Sequence, residues 1–288
     1  MKKLLTILAM FFCVNTFGQE NWTSLLDKSL SNWDSYLSYS FKDGYKGEQP
    51  VDENGKPIPP IGLNKDKAGV FKVIEENNEP VLKVSGEVYG CVVTKKEYRN
   101  YRFRLKVKWG DKKFPPREKL LKDSGIMYHS VGEFGKDYWR SWMLSQEFQV
   151  MEGHMGDFWS QQSSSMEIRA YLPEGTMMNP VADESQAFIP LGSGSNYGGF
   201  CLRSCNFESK PGEWTTLELV SYEGKSLHIV NGKVVMILQN SRYKKDGEIV
   251  PLVQGKIQIQ SEAAEVFYKD IEISEIDALP GEYAHYFK

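Results

Sequence analysis

Apolar and polar residues alternate with a period of two through most of the chain. The pattern is clearest in YRFRLKVKW, where Phe103, Leu105, Val107 and Trp109 point one way and Arg104, Lys106 and Lys108 the other. A strand with one apolar face and one charged face is half-buried, which predicts antiparallel pairing with water on the charged side. Similar runs at GVFKVIE, PVLKVSG, SGIMYHS, EFQVME, MEIRAYL, WTTLELVSY, KSLHIV, KVVMIL, GKIQIQS and EVFYKDIEISEI are separated by Gly, Pro, Asn or Asp. In IVNGKVV the pair Asn231-Gly232 predicts a type I′ hairpin turn, which needs positive φ at both central residues. About a dozen strands with almost no helical periodicity predict an all-β chain of two packed antiparallel sheets.

Three stretches break the pattern. Residues 43–66 and 111–122 are Pro- or Lys-rich and read as polar surface excursions. From Ser160 to Gly199 only MEIRAYL is regular, and a long irregular stretch in a compact domain is commonly part of a site.

Composition changes this picture in two ways. A formal net charge of −3 over 288 residues leaves no basic footprint for nucleic acid. Fifteen Tyr, fifteen Phe and seven Trp make an aromatic-rich chain that suits β-structure, with most rings expected in the core, and flat rings also suit the faces of sugars. The N-terminus, MKKLLTILAMFFCVNTFGQ, has a basic start, a short apolar run and small residues at Thr16 and Gly18. This is the layout of a secretory signal peptide over residues 1–18, leaving a mature domain 19–288, exported (secreted or periplasmic) and with no membrane span. Phe11 and Phe12 before Cys13 argue against a lipid anchor, since a lipoprotein signal wants small residues there. In an oxidising compartment Cys201 and Cys205 could pair if the backbone turns between them, whereas an extended strand would hold them too far apart.

Candidate chemistry concentrates in SQEFQVMEGHMGDFW, residues 145–159, which gathers Glu147, Gln149, Glu152, His154 and Asp157. In a regular strand Glu147 and Gln149 share one face and Glu152 lies on the other. A one-residue bulge near Val150-Met151 would bring Glu152 across to join them. Carboxyls set among Phe148, Val150, Phe158 and Trp159 would have raised pKa values, as bases do. Solvated glutamates with Gln149 bonded to a neighbouring strand are the plainer alternative. His129 in SGIMYHS, beside Tyr128, is expected on an adjacent strand. Trp159, Trp139, Trp142 and Tyr197 are candidates for sugar stacking, and Gln260 and Glu262 could face the same surface. A divalent cation could be held by oxygen and nitrogen ligands drawn from His129, Glu147 and His154, with Glu152 and Asp157 near the last. His228 fits hairpin packing as well as function, and His285 lies near the terminus.

The Glu-x-Gln-x-x-Glu spacing resembles the Glu-x-Asp-x-x-Glu strand of laminarinase-like retaining glycanases, with Gln149 in place of the central Asp. The wider chain is more similar to the 3-keto-disaccharide hydrolase domain family. SLLDKSLSNW, VVTKKEYRNYRFRLKVKW, DSGIMYHS, WMLSQEFQVMEGHMGDFW, KPGEWTTLELV, LHIVNGKVV and GKIQIQSEAAEVFYKDIEISEI follow that family's order from about Trp22 to Ile276, while His154 departs from its acidic residue. The resemblance implies a concanavalin A-like jelly-roll sandwich acting on a carbohydrate substrate, a glycoside already oxidised at carbon 3. It implies that a base removes the acidified carbon 2 proton, the aglycone leaves carbon 1, and water adds back. Glu147 or Glu152 would be the base, with His129 an acid or metal ligand. Gln149, Tyr128, Asp157, Trp159, Gln260 and Glu262 would bind substrate. A glycosidase on unmodified glycans and a non-catalytic carbohydrate-binding module are the competing readings; the module needs no buried carboxyl with a raised pKa.

Overall fold

The computed structural model describes residues 21–175 and 179–288. Two antiparallel sheets pack face to face as a jelly-roll sandwich. The larger sheet places Ser164–Tyr171, Lys233–Lys245, Lys225–Val230, Thr215–Tyr222, Tyr101–Lys113, Ala264–Glu275 and Glu79–Val84 side by side. The smaller sheet runs Phe200–Cys201, Phe158–Ser160, Leu144–Met151, Asp123–Val131, Lys256–Ser261, Gly90–Thr94, Trp33–Leu37, Gly62–Leu63. Neighbours in both sheets are often far apart in sequence, as a sandwich with crossing connections requires.

The period-two runs supply the core. Phe103, Leu105 and Val107 of the larger sheet meet Ile126, Phe148, Val150 and Ile259 of the smaller one in a single buried cluster. On the opposite face of the Tyr101–Lys113 strand the basic row is paired across neighbouring strands. Arg102 reaches Glu218 at 2.6 Å, Arg104 reaches Glu272 at 2.7 Å, and Lys106 reaches Asp270 at 2.9 Å. The hairpin forms where Asn231-Gly232 predicts it, with φ of 46° and 73° at the two turn residues.

The smaller sheet has an outer face that the rest of the chain half covers. Tyr36, Phe41, Tyr89, Cys91, Met127, Trp142 and Met143 form a second apolar cluster there, with Tyr45 and Trp139 packed on it. The excursion over residues 43–66 is therefore not simply solvated, because its start is tied down to the loop before the glutamate strand. Tyr45 Oη donates to Tyr138 O at 3.0 Å, Tyr138 Oη donates to Tyr45 O at 3.2 Å, and Arg140 Nη2 donates to Gly47 O at 2.9 Å. Gly47 is required at that crossing: its φ is +86°, and a Cβ would stand 2.6 Å from the Tyr138 ring.

Cys201 sits in an extended strand opposite Phe158, and Cys91, Cys201 and Cys205 are all unpaired, so the turn that a Cys201–Cys205 bridge needs is not made. Residues 1–18, expected from the sequence to be a signal peptide, lie outside the described residues. Among those residues no helix is long and apolar enough to cross a membrane.

Candidate active site

Because Phe148 and Val150 face the core, the alternation of the Leu144–Met151 strand turns Glu147 and Gln149 to the outer face. The next strand pairs Met127 with Glu147 and Gly125 with Gln149, and the strand beyond it brings Gln260 onto the same surface. A bridge between Asp123 and Glu262 closes one end. Together these form the floor of a cleft of about 410 Å³. Arg117 walls it on the side of the 111–122 excursion, Tyr138, Trp139 and Trp142 on the side of the following loop, and Trp159 and Gln161 at the Phe158–Ser160 edge. Trp159 pairs directly with Glu147 across the strands, rests on Phe200 at 4.5 Å, and keeps 39% of its surface exposed.

The cleft's charges are unbalanced. Three carboxyls, Glu147, Asp123 and Glu262, are nearly buried around one guanidinium. Arg117 Nη2 lies 2.5 Å from Asp123 Oδ2, and its Nη1 lies 3.7 Å from Glu262 Oε1. Burial drives the Asp123 carboxyl up to about 7 even against the pull of Arg117. Burial, then the charge of Asp123, holds Glu262 well above the usual carboxylate range. Burial, then Glu262, pushes Glu147 up to about 8, while the hydrogen bond from Gln161 and the neighbouring amide of Gln260 work in the other direction. For Arg117 burial acts downward, and the carboxyls of Glu262 and Asp123 outweigh it, so the guanidinium stays charged. The arrangement is a charged Arg117–Asp123 pair flanked by two carboxyls poised to hold protons.

Gly125 makes this floor passable. A Cβ at this position would come within 2.4 Å of both Glu147 Oε1 and Gln260 Oε1. Gly125→Ala is expected to push the two side chains apart and to cost about tenfold or more in turnover with the sandwich intact, since small displacements of reacting groups are costly. Steady-state rates beside a circular-dichroism melt would check this.

A model of the 3-keto-alpha-glucoside-1,2-lyase-like domain matches residues 21–274. The chain belongs to this family. Membership makes it a carbohydrate-active protein. No curated protein matches it. Among solved structures, a candidate glycosyl hydrolase from Parabacteroides distasonis ATCC 8503 is 16% identical, with 89% of this chain and 94% of that one covered at a TM-score of 0.48. A second from the same organism is 17% identical, with 89% and 100% covered at 0.46. The carbohydrate-binding module CBM66 from Bacillus subtilis is 8% identical, with 71% and 92% covered at 0.39.

Within this member of the 3-keto-alpha-glucoside-1,2-lyase-like family, the cleft unites Glu147, Gln149, Trp159, Gln260 and Glu262, all expected from the sequence. It does not include Glu152. The ladder through Val150 and Met151 is unbroken, pairing them with Ser124 and Asp123, so no bulge carries Glu152 across; it points away, 39% exposed and 3.8 Å from Lys122. The bulge lies in the neighbouring strand instead. There the register shifts after Tyr128, His129 takes φ of +53°, and its ring turns into the core, where Nε2 meets Ser221 Oγ at 2.9 Å. Burial lowers the His129 pKa to about 3, so it is a neutral interior group and not an acid at the cleft. Tyr128 likewise faces inward, 3.3 Å from His228 Nε2.

Asp157 is also buried away from the cleft. Its carboxylate accepts from the Arg203 backbone N–H at 2.8 Å and lies 3.0 Å from His154 Nδ1, fixing the turn after the glutamate strand. The three metal candidates His129, Glu147 and His154 thus occupy the core, the cleft and that turn, and do not meet. Among the described residues no group of three or more His, Cys, Asp or Glu is arranged to hold a metal. Tyr197 is exposed outside the cleft lining. Five lining residues went unnoticed in the sequence: Arg117, Asp123, Tyr138, Ser160 and Gln161. Arg117 was hidden in a Lys-rich run, and only Asp123, two residues before Gly125 on a strand, carried a usable signal in its period-two phase.

Proposed function

We propose that the protein cleaves 3-keto glycosides by elimination, with Glu147 as the base. One observation carries this: Glu147 is only 3% exposed yet lines an open cleft, and its Oε2 accepts a hydrogen bond from Gln161 Nε2, leaving Oε1 to take a proton. A ketone at carbon 3 acidifies the carbon 2 proton. Glu147 removes that proton, its electron pair becomes the carbon 1–carbon 2 double bond, and the carbon 1–oxygen bond breaks. The leaving oxygen is protonated, a task for Glu262, which its surroundings keep in the acid form. Addition of water to the resulting enone gives the 3-keto sugar, so lyase and hydrolase outcomes differ only in where hydration happens. Arg117 supports the negative charge that develops near the ketone. Gln149 offers its amide to sugar hydroxyls, and Trp159 offers a ring face beside the base.

A two-carboxylate glycosidase is less well supported, because Gln149 replaces one acid of that strand and Glu152 faces away. A binding module has no use for a buried carboxyl at the bottom of its cleft. With residues 1–18 as an export leader, the substrate would be met outside the cytoplasm. The test compares 3-keto disaccharides with their unoxidised parents in heavy water. Cleavage of the keto substrates alone, with deuterium at carbon 2 of the hydrated product, is expected. Efficient cleavage of the parents without deuterium would establish the glycosidase, and binding without turnover the module.

A further inference from the structure

Two glutamines on the Lys256–Ser261 strand lie two residues apart, both fully buried, and are held in opposite ways. Gln258 is committed at each end: Oε1 accepts from the Cys91 thiol at 3.1 Å and the Met143 N–H at 3.3 Å, and Nε2 donates to Ser130 Oγ at 2.8 Å. Turning its amide would break all three bonds. Gln260 is committed at neither. Its Nε2 donates only to the Met127 thioether at 3.4 Å, and its Oε1 has no partner. That unpartnered oxygen and Glu147 Oε1 crowd the same point, each within 2.4 Å of where a Gly125 Cβ would stand, and the amide acts on the Glu147 carboxyl.

Two oxygens side by side repel unless one carries a proton. If Glu147 is protonated on Oε1, its O–H donates to Gln260 Oε1 and both are satisfied. If Glu147 is ionised, a half-turn of the amide presents Nε2–H to the carboxylate instead. The half-turn barely changes the amide's shape, and the only bond it gives up is to a weak thioether acceptor. We infer that Gln260 is a positioning residue that follows the proton on Glu147, donating to the carboxylate before carbon 2 is deprotonated and accepting from the carboxylic acid afterwards. This rests on the proposed role of Glu147 as base. It explains why the base faces, over Gly125, an amide whose other end meets only a thioether, where a fixed donor would hold the base in one protonation state and resist the other.

The other groups that face Glu147 are Gln161 on Oε2, Glu262 from the end of Gln260's own strand, Asp123 from the start of the neighbouring strand, Asp137 from the loop before Trp142, and Arg117 from the 111–122 excursion. None of them is altered in the test. Full-length protein labelled with ¹³C-carboxyl glutamate is titrated without substrate, the Glu147 signal being assigned by its loss in E147Q. Gln260→Met keeps the volume and removes the amide, so the ionised form loses a charge-assisted donor and the midpoint is expected to rise by about one pH unit. The acid limb of kcat/KM should move with it. Met127→Leu removes the competing acceptor at the other end of the amide, and the midpoint is expected to fall by a few tenths of a unit; this variant serves also if Gln260→Met fails to fold. Unchanged midpoints in the variants that fold would overturn the inference. A shifted midpoint in a protein that leaves 3-keto glycosides uncleaved would instead sink the proposed function and leave this role of Gln260 standing.

Discussion

Glu147→Gln is expected to abolish cleavage of 3-keto glycosides and, with it, deuterium exchange at carbon 2, by about a hundred- to ten-thousand-fold, while the protein stays folded. The amide keeps the shape of the side chain and relieves the cleft of one buried acid, so nothing in the sandwich depends on the lost group. The wild-type pH profile follows from the same residue. A base works only when ionised, and burial holds Glu147 at about 8, so kcat/KM should rise with pH, about tenfold per unit, up to that value and level off above it. Initial rates between pH 5 and 9.5 would check the profile. A flat profile, or an E147Q variant within a few-fold of wild type, would remove Glu147 from the base's role.

Arg117→Met should be the most damaging change to stability. It leaves Asp123 and Glu262 buried without a cation, and breaking a buried pair by removing one partner typically costs about 3–5 kcal/mol. The sign with pH is definite. Both carboxyls have folded-state pKa values raised above those of the unfolded chain, so they weigh least at low pH, where they are protonated, and most once the pH rises through the folded-state value of Asp123, about 7. Urea midpoints measured at pH 5 and pH 8.5 should therefore differ far more in the variant than in wild type. Equal losses at both values would mean that Arg117 contributes packing and not charge.

The sheets were legible because burial and period two report the same thing: YRFRLKVKW has one face for the core and one for ion pairs, and Asn231-Gly232 can do little but turn. The same phase placed Glu147 and Gln149 together correctly. The expected bulge at Val150-Met151 was an inference from chemistry, the demand that two glutamates share a site, and the backbone did not follow it. A bulge did form one strand away, where no residue type marks it, and it inverted His129 and with it the expected acid. Arg117 was illegible for another reason. In DKKFPPREKLLK it is one cation among several, and only the closure of that excursion over Asp123 and Glu262 distinguishes it. Pairings between a loop and a distant strand have no period to betray them.

The reciprocal tie between Tyr45 and Tyr138, with Arg140 grasping Gly47, has a consequence for redesign of this cleft. The loop that walls the cleft and the excursion that braces it from outside hold each other chiefly through backbone carbonyls, so what matters to each is the path of the other and not most of its side chains. Sequence between the anchor points can drift freely as long as Gly47 and the two tyrosines persist. A rim transplanted from a relative would have to travel as a matched pair: moved singly, either loop arrives with a hydroxyl that finds no acceptor, and the floor with its base would be kept under a mouth that no longer closes on its ligand.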